Sequence, residues 1–500
     1  MSVFKKLAGQ TALYGVSSIL GRTLNFLLTP LFATYLSVAE FGTSVDIYSI
    51  AAFLNIIYLF GFETTYFRFA KKPNQLENEI FNQAESTLIS ISVIFSALLV
   101  LFAHPIVNYL EYPNKAHYIY YLALILFSDT IVALPFARLR INNQAATFAI
   151  IKISNIVLNV LLNIFFLAVC KPIFNSEGND VFKTFISYIY TPGDDVKYVF
   201  LSNLIANILI IPFFYKSLIS TKYRFDFSLL KQMLKYAYPL VILGIAGMTN
   251  EMLSRIIFKK ILPDNFYAGL SKQEALGIFG ACYKLSMFMS LAIQSFRYAA
   301  EPFFFNQAQE KNAQKTFALV MKWFIISCLL LFLGISLNLE ILGKIMLRKE
   351  AYQLGLSIVP ILLLANMFLG ICFNLSMSFK LTDNNIYGTY ISIFGVLITI
   401  IFNILLVPHY GFMGSAITTL LCYVSMATAI YLVGKRLMPI PYNIYKYLLY
   451  ILFASSLVYL NQLYRFDSTI GQFISSIFFL LFFCISVFLI EKKSINSIIK

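Results

Sequence analysis

A few charged residues stand inside long apolar runs, and they are where chemistry can occur: Arg22, Lys152, Arg255 and Lys284, with Asp46, Glu63, Asp129 and Glu251 of the opposite sign. An ionised side chain at the bilayer centre costs at least ~2.5–3.5 kcal/mol on insertion scales, so each is expected to face a partner or a watery cavity. Arg22 falls near the middle of the first run, with Asn25 one turn further on the same helical face. Arg255 lies toward the outer end of the seventh run, Lys284 in the outer half of the eighth, and Lys152 near the inner end of the fifth. Arginine's planar fork binds phosphate oxygens bidentately, so these residues suit a polyanionic headgroup such as a diphosphate. On that reading Arg22, Arg255 and Lys284 line a shared cationic cavity. The competing reading is private pairing, most directly Glu251 with Arg255 at i, i+4, while Lys152 is better placed to snorkel to the interface.

Asp46, Asp129 and Glu63 are candidates for coupling to H+ or Na+, but partnership with a basic residue is the favoured reading of each. Enzymatic groups are missing from the pattern. There is no G-x-x-x-x-G-K-[ST] phosphate loop and no H-E-x-x-H, so neither nucleotide hydrolysis nor metal-assisted hydrolysis is expected, and no cofactor is implied. His104, His117 and His409 are isolated at run ends, and the six cysteines stand singly as small apolar residues rather than as metal ligands or disulfides.

The elements that position these residues are transmembrane helices. Hydrophobic residues make up 59% of the 500, against roughly 45–50% in soluble domains, more apolar surface than a water-solvated fold can hide. At ~20 apolar residues per crossing there is room for about fourteen spans. Runs occur at 10–36, 41–67, 86–104, 118–137, 147–170, 198–215, 236–258, 277–298, 317–339, 354–378, 386–407, 411–433, 446–463 and 468–490. The first run is too long for a signal-peptide core and is read as a retained helix. With a cytoplasmic N-terminus, the cytoplasmic connections carry about 22 Lys/Arg and the external ones about 11, which places both termini in the cytoplasm of a cell inner membrane protein. The net charge of +15 then reflects topology and membrane-surface attraction rather than nucleic acid. Arg68, Arg138 and Arg297 read as topology determinants at inner helix ends, and Trp323 as an interface anchor.

The expected organisation is an N-terminal lobe of six spans over 1–215, an amphipathic cytoplasmic linker over 216–235, a second six-span lobe over 236–433, and two further spans with a tail over 434–500. The stretch around Leu229, Leu230, Met233 and Leu234, among Lys231 and Lys235, suits a helix lying on the inner surface. Arg22 and Arg255, Gly42 and Gly277, and Asn163 and Asn403 recur at offsets of about 235 residues, each linking spans six apart, as a repeat about an axis along the membrane normal would require. Prolines at 30, 135, 212, 239 and 360 permit bends.

Several stretches resemble polysaccharide-biosynthesis flippases of the Wzx type, in the multidrug/oligosaccharidyl-lipid/polysaccharide exporter superfamily. They are Lys5-Lys6-Leu7-Ala8, Leu13-Tyr14-Gly15, Gly21-Arg22, Thr29-Pro30-Leu31, Glu40-Phe41-Gly42, Gly61-Phe62-Glu63 and Arg68-Phe69; then Leu234-Lys235-Tyr236-Ala237-Tyr238-Pro239-Leu240; then Asn403-Ile404-Leu405-Leu406-Val407-Pro408, Tyr410-Gly411 and Gly414-Ser415-Ala416. The resemblance spans nearly the whole chain. It implies an all-α integral membrane protein with two six-helix lobes around a central cationic cavity plus two C-terminal helices. It also implies alternating access that moves undecaprenyl-diphosphate-linked oligosaccharide between leaflets for surface polysaccharide synthesis. Partners on that reading are the lipid-linked oligosaccharide, membrane lipids and other polysaccharide-assembly proteins. The rivals are a multidrug exporter or a peptidoglycan-precursor flippase of the same superfamily, and from another class a membrane glycan polymerase or ligase.

Overall fold

A computed structural model describes residues 23 and 26–499, apart from 71–75, 143, 177–179, 224, 309, 311, 383, 385 and 465–467. Among the described residues every regular element is helical, since in lipid each backbone N–H and C=O must find its partner within the chain. The helices are α1 (Phe26–Tyr35), α2 (Val38–Phe69), α3 (Glu77–Leu101), α4 (His117–Ile141), α5 (Ala145–Asn175), α6 (Val196–Ser220) and α7 (Phe227–Ile261), then α8 (Lys272–Gln307) and α9 (Ala313–Ser336). They continue with α10 (Glu350–Leu381), α11 (386–410), α12 (412–437), α13 (Ile444–Leu463) and α14 (Thr469–Ile499). Twelve helices in the described residues are long and apolar enough to cross a membrane. The one over Ile386–Leu437 holds two spans, because Gly411 takes φ 55° and ψ −132° inside it, a conformation closed to residues bearing a Cβ. With α1, the described part of the first run, the fourteen segments follow the order expected from the apolar runs. "Inner" and "outer" ends are named by the basic-residue tally.

The chain forms two compact units. One runs to Gly280 and includes Thr399–Pro408; the other comprises Ala281–Ile398 and His409 onward. The division falls inside α8 because α7 packs along α2 within the first unit. The amphipathic stretch near 230 is not a separate surface helix. Leu229, Leu230, Met233 and Leu234 form the first turns of α7, where the Asp226 carboxylate caps Ser228 N at 2.8 Å and Leu229 N at 3.1 Å. Met233 is buried with Phe62, Tyr66, Phe69 and Phe81 in a cluster at the inner end. A helix on a membrane surface and the capped start of a spanning helix share one apolar periodicity, so only the contacts separate them.

The starts of α2 and α8 meet in the first unit. α2 and α8 open on the same capping box: Glu40 N bonds Ser37 Oγ at 3.2 Å and Ser37 N bonds Glu40 Oε2 at 2.8 Å, while Glu274 N bonds Ser271 Oγ at 3.2 Å and Ser271 N bonds Glu274 Oε2 at 2.8 Å. Gly42 and Gly277 then bring the two backbones together: a Cβ on Gly277 would lie 2.1 Å from the Val38 carbonyl oxygen and 3.0 Å from Gly42 N. Gly277→Ala is therefore expected to force the helices apart, at about 1–3 kcal/mol for overpacking, seen as lower thermal stability in detergent. Gly388→Ala, with open space around its Cβ position, should leave stability unchanged. Equal stability of the two variants would show that the backbones need not touch. Asn163 and Asn403 also share a role, each donating to the carbonyl four residues back, Asn159 at 2.8 Å and Thr399 at 2.7 Å.

In the second unit, the last two spans are fastened at the inner end by Glu491 of α14, 2% exposed. Its carboxylate meets Lys322 of α9 at 2.7 Å, Lys446 of α13 at 2.6 Å and the Tyr450 hydroxyl at 2.7 Å. Along α14, Phe473, Phe478, Leu481, Ile485 and Phe488 stay exposed, as expected of a face solvated by lipid. All six cysteines are unpaired, and Cys282, Cys372 and Cys422 donate to backbone carbonyls.

Candidate functional site

A polar cavity of about 310 Å³ opens among α2, α4, α5 and α6 of the first unit, running from mid-span toward the inner end. Its floor is a chain of side-chain hydrogen bonds: Asn155 Nδ2 donates to Asn207 Oδ1 at 3.0 Å, and Asn207 Nδ2 donates to Asp129 Oδ1 at 2.9 Å. Lys152, exposed on α5, acts electrostatically on Asp129 and stands 5.5 Å from the Phe136 ring centroid. At the mouth Arg140 pairs with Glu63. Asn55 Oδ1 also lines the cavity, buried and without a hydrogen-bond partner among the described residues. Amides beside two carboxylates and two cations can hold hydroxyls or exchange a proton or cation, and they do so within a span where each such group is otherwise costly.

A second charged centre closes the outer end of the same unit. Asp46 and Lys259 are 2% and 4% exposed. Lys259 Nζ lies 3.6 Å from Asp46 and 3.7 Å from Glu111, donates to the Leu110 carbonyl, and sits 4.3 Å from the centroid of the Tyr112 ring. The Tyr112 hydroxyl donates to Asp46 at 2.7 Å, and burial beside that carboxylate raises its own pKa. Nearby, Asp194 bonds Lys115 at 2.8 Å, His117 at 2.7 Å and the Tyr118 hydroxyl at 2.5 Å. Burial alone would raise the Asp194 carboxyl, but these donors outweigh it and hold it below the usual range.

Of the residues singled out in the sequence, the cavity brings together Asp129, Glu63 and Lys152, and Asp46 belongs to the outer cluster. Arg255 is half-buried on α7 in the first unit, with Nη1 2.9 Å from Met252 Sδ. Lys284 is half-buried on α8 in the second unit. Arg22 and Asn25 lie outside the described residues. Inner-end arginines are packed on aromatic rings: Arg68 4.1 Å from Tyr236, Arg138 4.5 Å from Phe81, and Arg297 3.8 Å from Phe373. Sequence reasoning missed Lys259, Asn207, Glu491 and the fully buried Glu85. A lysine or glutamate at the edge of an apolar run reads as an interface residue, and a lone asparagine within one carries little signal.

No curated protein matches the chain. Residues 31–176 match a family model described as polysaccharide biosynthesis protein, and residues 262–405 match the MatE family. Among solved structures, the chain is similar to the lipid II flippase MurJ in an inward closed conformation, at 15% identity and TM-score 0.66, covering 97% of this chain and 100% of that one. It is similar to an inward-facing multidrug resistance MATE family transporter of the MOP superfamily at 14% identity and TM-score 0.63, covering 83% and 94%. A Vibrio cholerae MATE transporter gives 15%, 0.52, 86% and 96%. Fourteen helical segments among the described residues, with titratable polar side chains inside them, define a multi-pass membrane protein. The chain thus carries one segment matching the polysaccharide biosynthesis family and one matching the MatE family, within the fold that these solved structures share.

Proposed function

We propose that this membrane protein is a flippase that carries an undecaprenyl-diphosphate-linked oligosaccharide from the inner to the outer leaflet of the cytoplasmic membrane, for assembly of a surface polysaccharide. The observation that carries the reading is the match of residues 31–176 to the polysaccharide biosynthesis family in a chain with an exporter fold. Similarity to a structure named as a lipid II flippase supports it. Arg22, Arg255 and Lys284, with Asn25 and Lys152, supply the donors and positive charge that a diphosphate needs. Asn55, Asn155 and Asn207 suit sugar hydroxyls, and Asp129, Glu63 and Asp46 are the carboxylates available for coupling to H+ or Na+. The lipid tail stays in the bilayer while the headgroup site is exposed alternately to the two faces, with both chain termini cytoplasmic. No bond is made or broken.

Two measurements test this. Proteoliposomes containing the parent chain should speed the appearance of a defined undecaprenyl-diphosphate-linked sugar in the outer leaflet. In cells that depend on this chain for surface glycan, Arg22→Ala or Lys284→Ala should lower export by about tenfold or more with normal membrane insertion. No acceleration by the parent sinks the reading, and full export by both variants removes those residues from it. The MatE match over 262–405 favours one rival, a multidrug exporter. A deletion strain with altered drug susceptibility and intact surface glycan would point there.

A further inference from the structure

The second unit carries a larger cavity that the transport reading does not use. It has a volume of about 950 Å³ and lies at the outer end, between the 337–349 connection, the start of α10, and the ends of α13 and α14 that face each other there. That volume falls within the roughly 300–1,000 Å³ of small-molecule sites. Its walls are tied across helices: Gln472 Nε2 donates to Glu340 Oε2 at 3.2 Å, Ser475 Oγ to Asn461 Oδ1 at 2.7 Å, and Ser476 Oγ to the Leu337 carbonyl at 3.0 Å. The cavity is therefore held in shape by the α13–α14 hairpin rather than left as a gap beside it.

Two lining residues each carry a buried polar atom without a hydrogen-bond partner among the described residues: Ser336 Oγ, in a residue only 5% exposed, and Asn338 Oδ1. The Asn338 amide nitrogen is already committed to the Gly334 carbonyl at 2.9 Å, so the orphan is an acceptor waiting for a donor. Buried polar atoms are seldom left in this state unless something else completes them. Around them stand the amides of Gln353, Asn461, Gln462 and Gln472. Glu340 and Glu350 balance Lys344 and Arg348, so the lining has no net charge and offers a polyanion no advantage. Leu339, Ile341 and Leu356 add an apolar patch. Amides with paired donors and acceptors, orphan oxygens and a small apolar surface match a ring whose edge is hydroxyls and whose face is C–H.

We propose that this outer cavity is a binding site for a neutral saccharide of one or two rings, distinct from the headgroup site of the transport reading and independent of it. Ser336 and Asn338 accept from ligand hydroxyls at the base, and the glutamines and Asn461 bond the ring edge.

The test uses the full-length protein in nanodiscs of phosphatidylcholine and phosphatidylglycerol, with the disaccharide of N-acetylglucosamine, maltose and inorganic diphosphate as separate probes. Saturation-transfer NMR is expected to show magnetisation passing from protein to the ring protons of at least one saccharide. Diphosphate should not displace it. Gln353→Leu combined with Gln472→Leu should weaken saccharide affinity by about tenfold. Gln462→Trp, an exposed change at the mouth, should do the same without altering thermal unfolding, which separates site loss from misfolding. Absence of transfer to either saccharide, unchanged affinity in the Gln462→Trp protein, or displacement by diphosphate would each overturn the assignment.

Discussion

Lys259→Met is expected to destabilise the folded protein by about 3–5 kcal/mol, the range for removing one partner of a buried ion pair. The change would leave Asp46 as a carboxylate 2% exposed, held by the Tyr112 hydroxyl alone among its described side-chain donors. It would also orphan the Leu110 carbonyl that Lys259 now satisfies and remove the cation from the Tyr112 ring. The loss is mainly desolvation of what remains, not the attraction of the pair, because at 3.6 Å the pair itself is not tight. The double variant Asp46→Asn, Lys259→Met should therefore recover most of the stability, since replacing both members of a buried pair is often close to neutral. Unfolding of the purified protein by titrated SDS in mild detergent reads both numbers. A single variant as stable as the parent, or a double variant as unstable as the single, would show that the pair is not what clasps α7 to α2.

The second large effect is expected at Glu491. Removing its carboxylate by Glu491→Ala leaves Lys322 and Lys446, both within 2.7 Å of it now, facing each other without the carboxylate between them. A loss of about 3 kcal/mol follows, the lower end of the buried-pair range, because both lysines lie near the inner interface and can snorkel. Glu491→Gln retains an acceptor for the Tyr450 hydroxyl and should lose roughly half as much. The variant in which Glu491, Lys322 and Lys446 are all Met should regain stability. SDS titration together with protease sensitivity of the 438–443 connection would measure it. If Glu491→Ala remained as stable and as protease-resistant as the parent, α13 and α14 would have to be held by apolar contact and by their outer-end hydrogen bonds.

Much of this organisation can be read before any coordinates. Run lengths give the spans, and the break between the runs 386–407 and 411–433 is where Gly411 separates α11 from α12. The recurrence of Gly42 at Gly277 points to the place where two backbones touch. The S-x-x-E boxes at Ser37 and Ser271 were equally legible, but four residues of capping sequence mean little until both are seen opening helices that meet. Asp46, Asp129 and Glu63 stood out because a carboxylate inside an apolar run is expensive. Their neighbours did not, because Lys259 and Arg140 occupy helix ends where a lysine or arginine needs no partner.

What the chain determined by itself is its solvent and the number of its apolar spans, together with an expectation of their direction. Each depends on local quantities: the length of an apolar run against the thickness of a bilayer, and the count of basic residues in a connection. Only the tertiary structure decided which charges are neighbours, which asparagines share hydrogen bonds with Asp129, and where cavities are left. Those contacts join helices far apart in sequence, and whether two polar groups meet depends on how whole helix faces pack, a property that no single run contains.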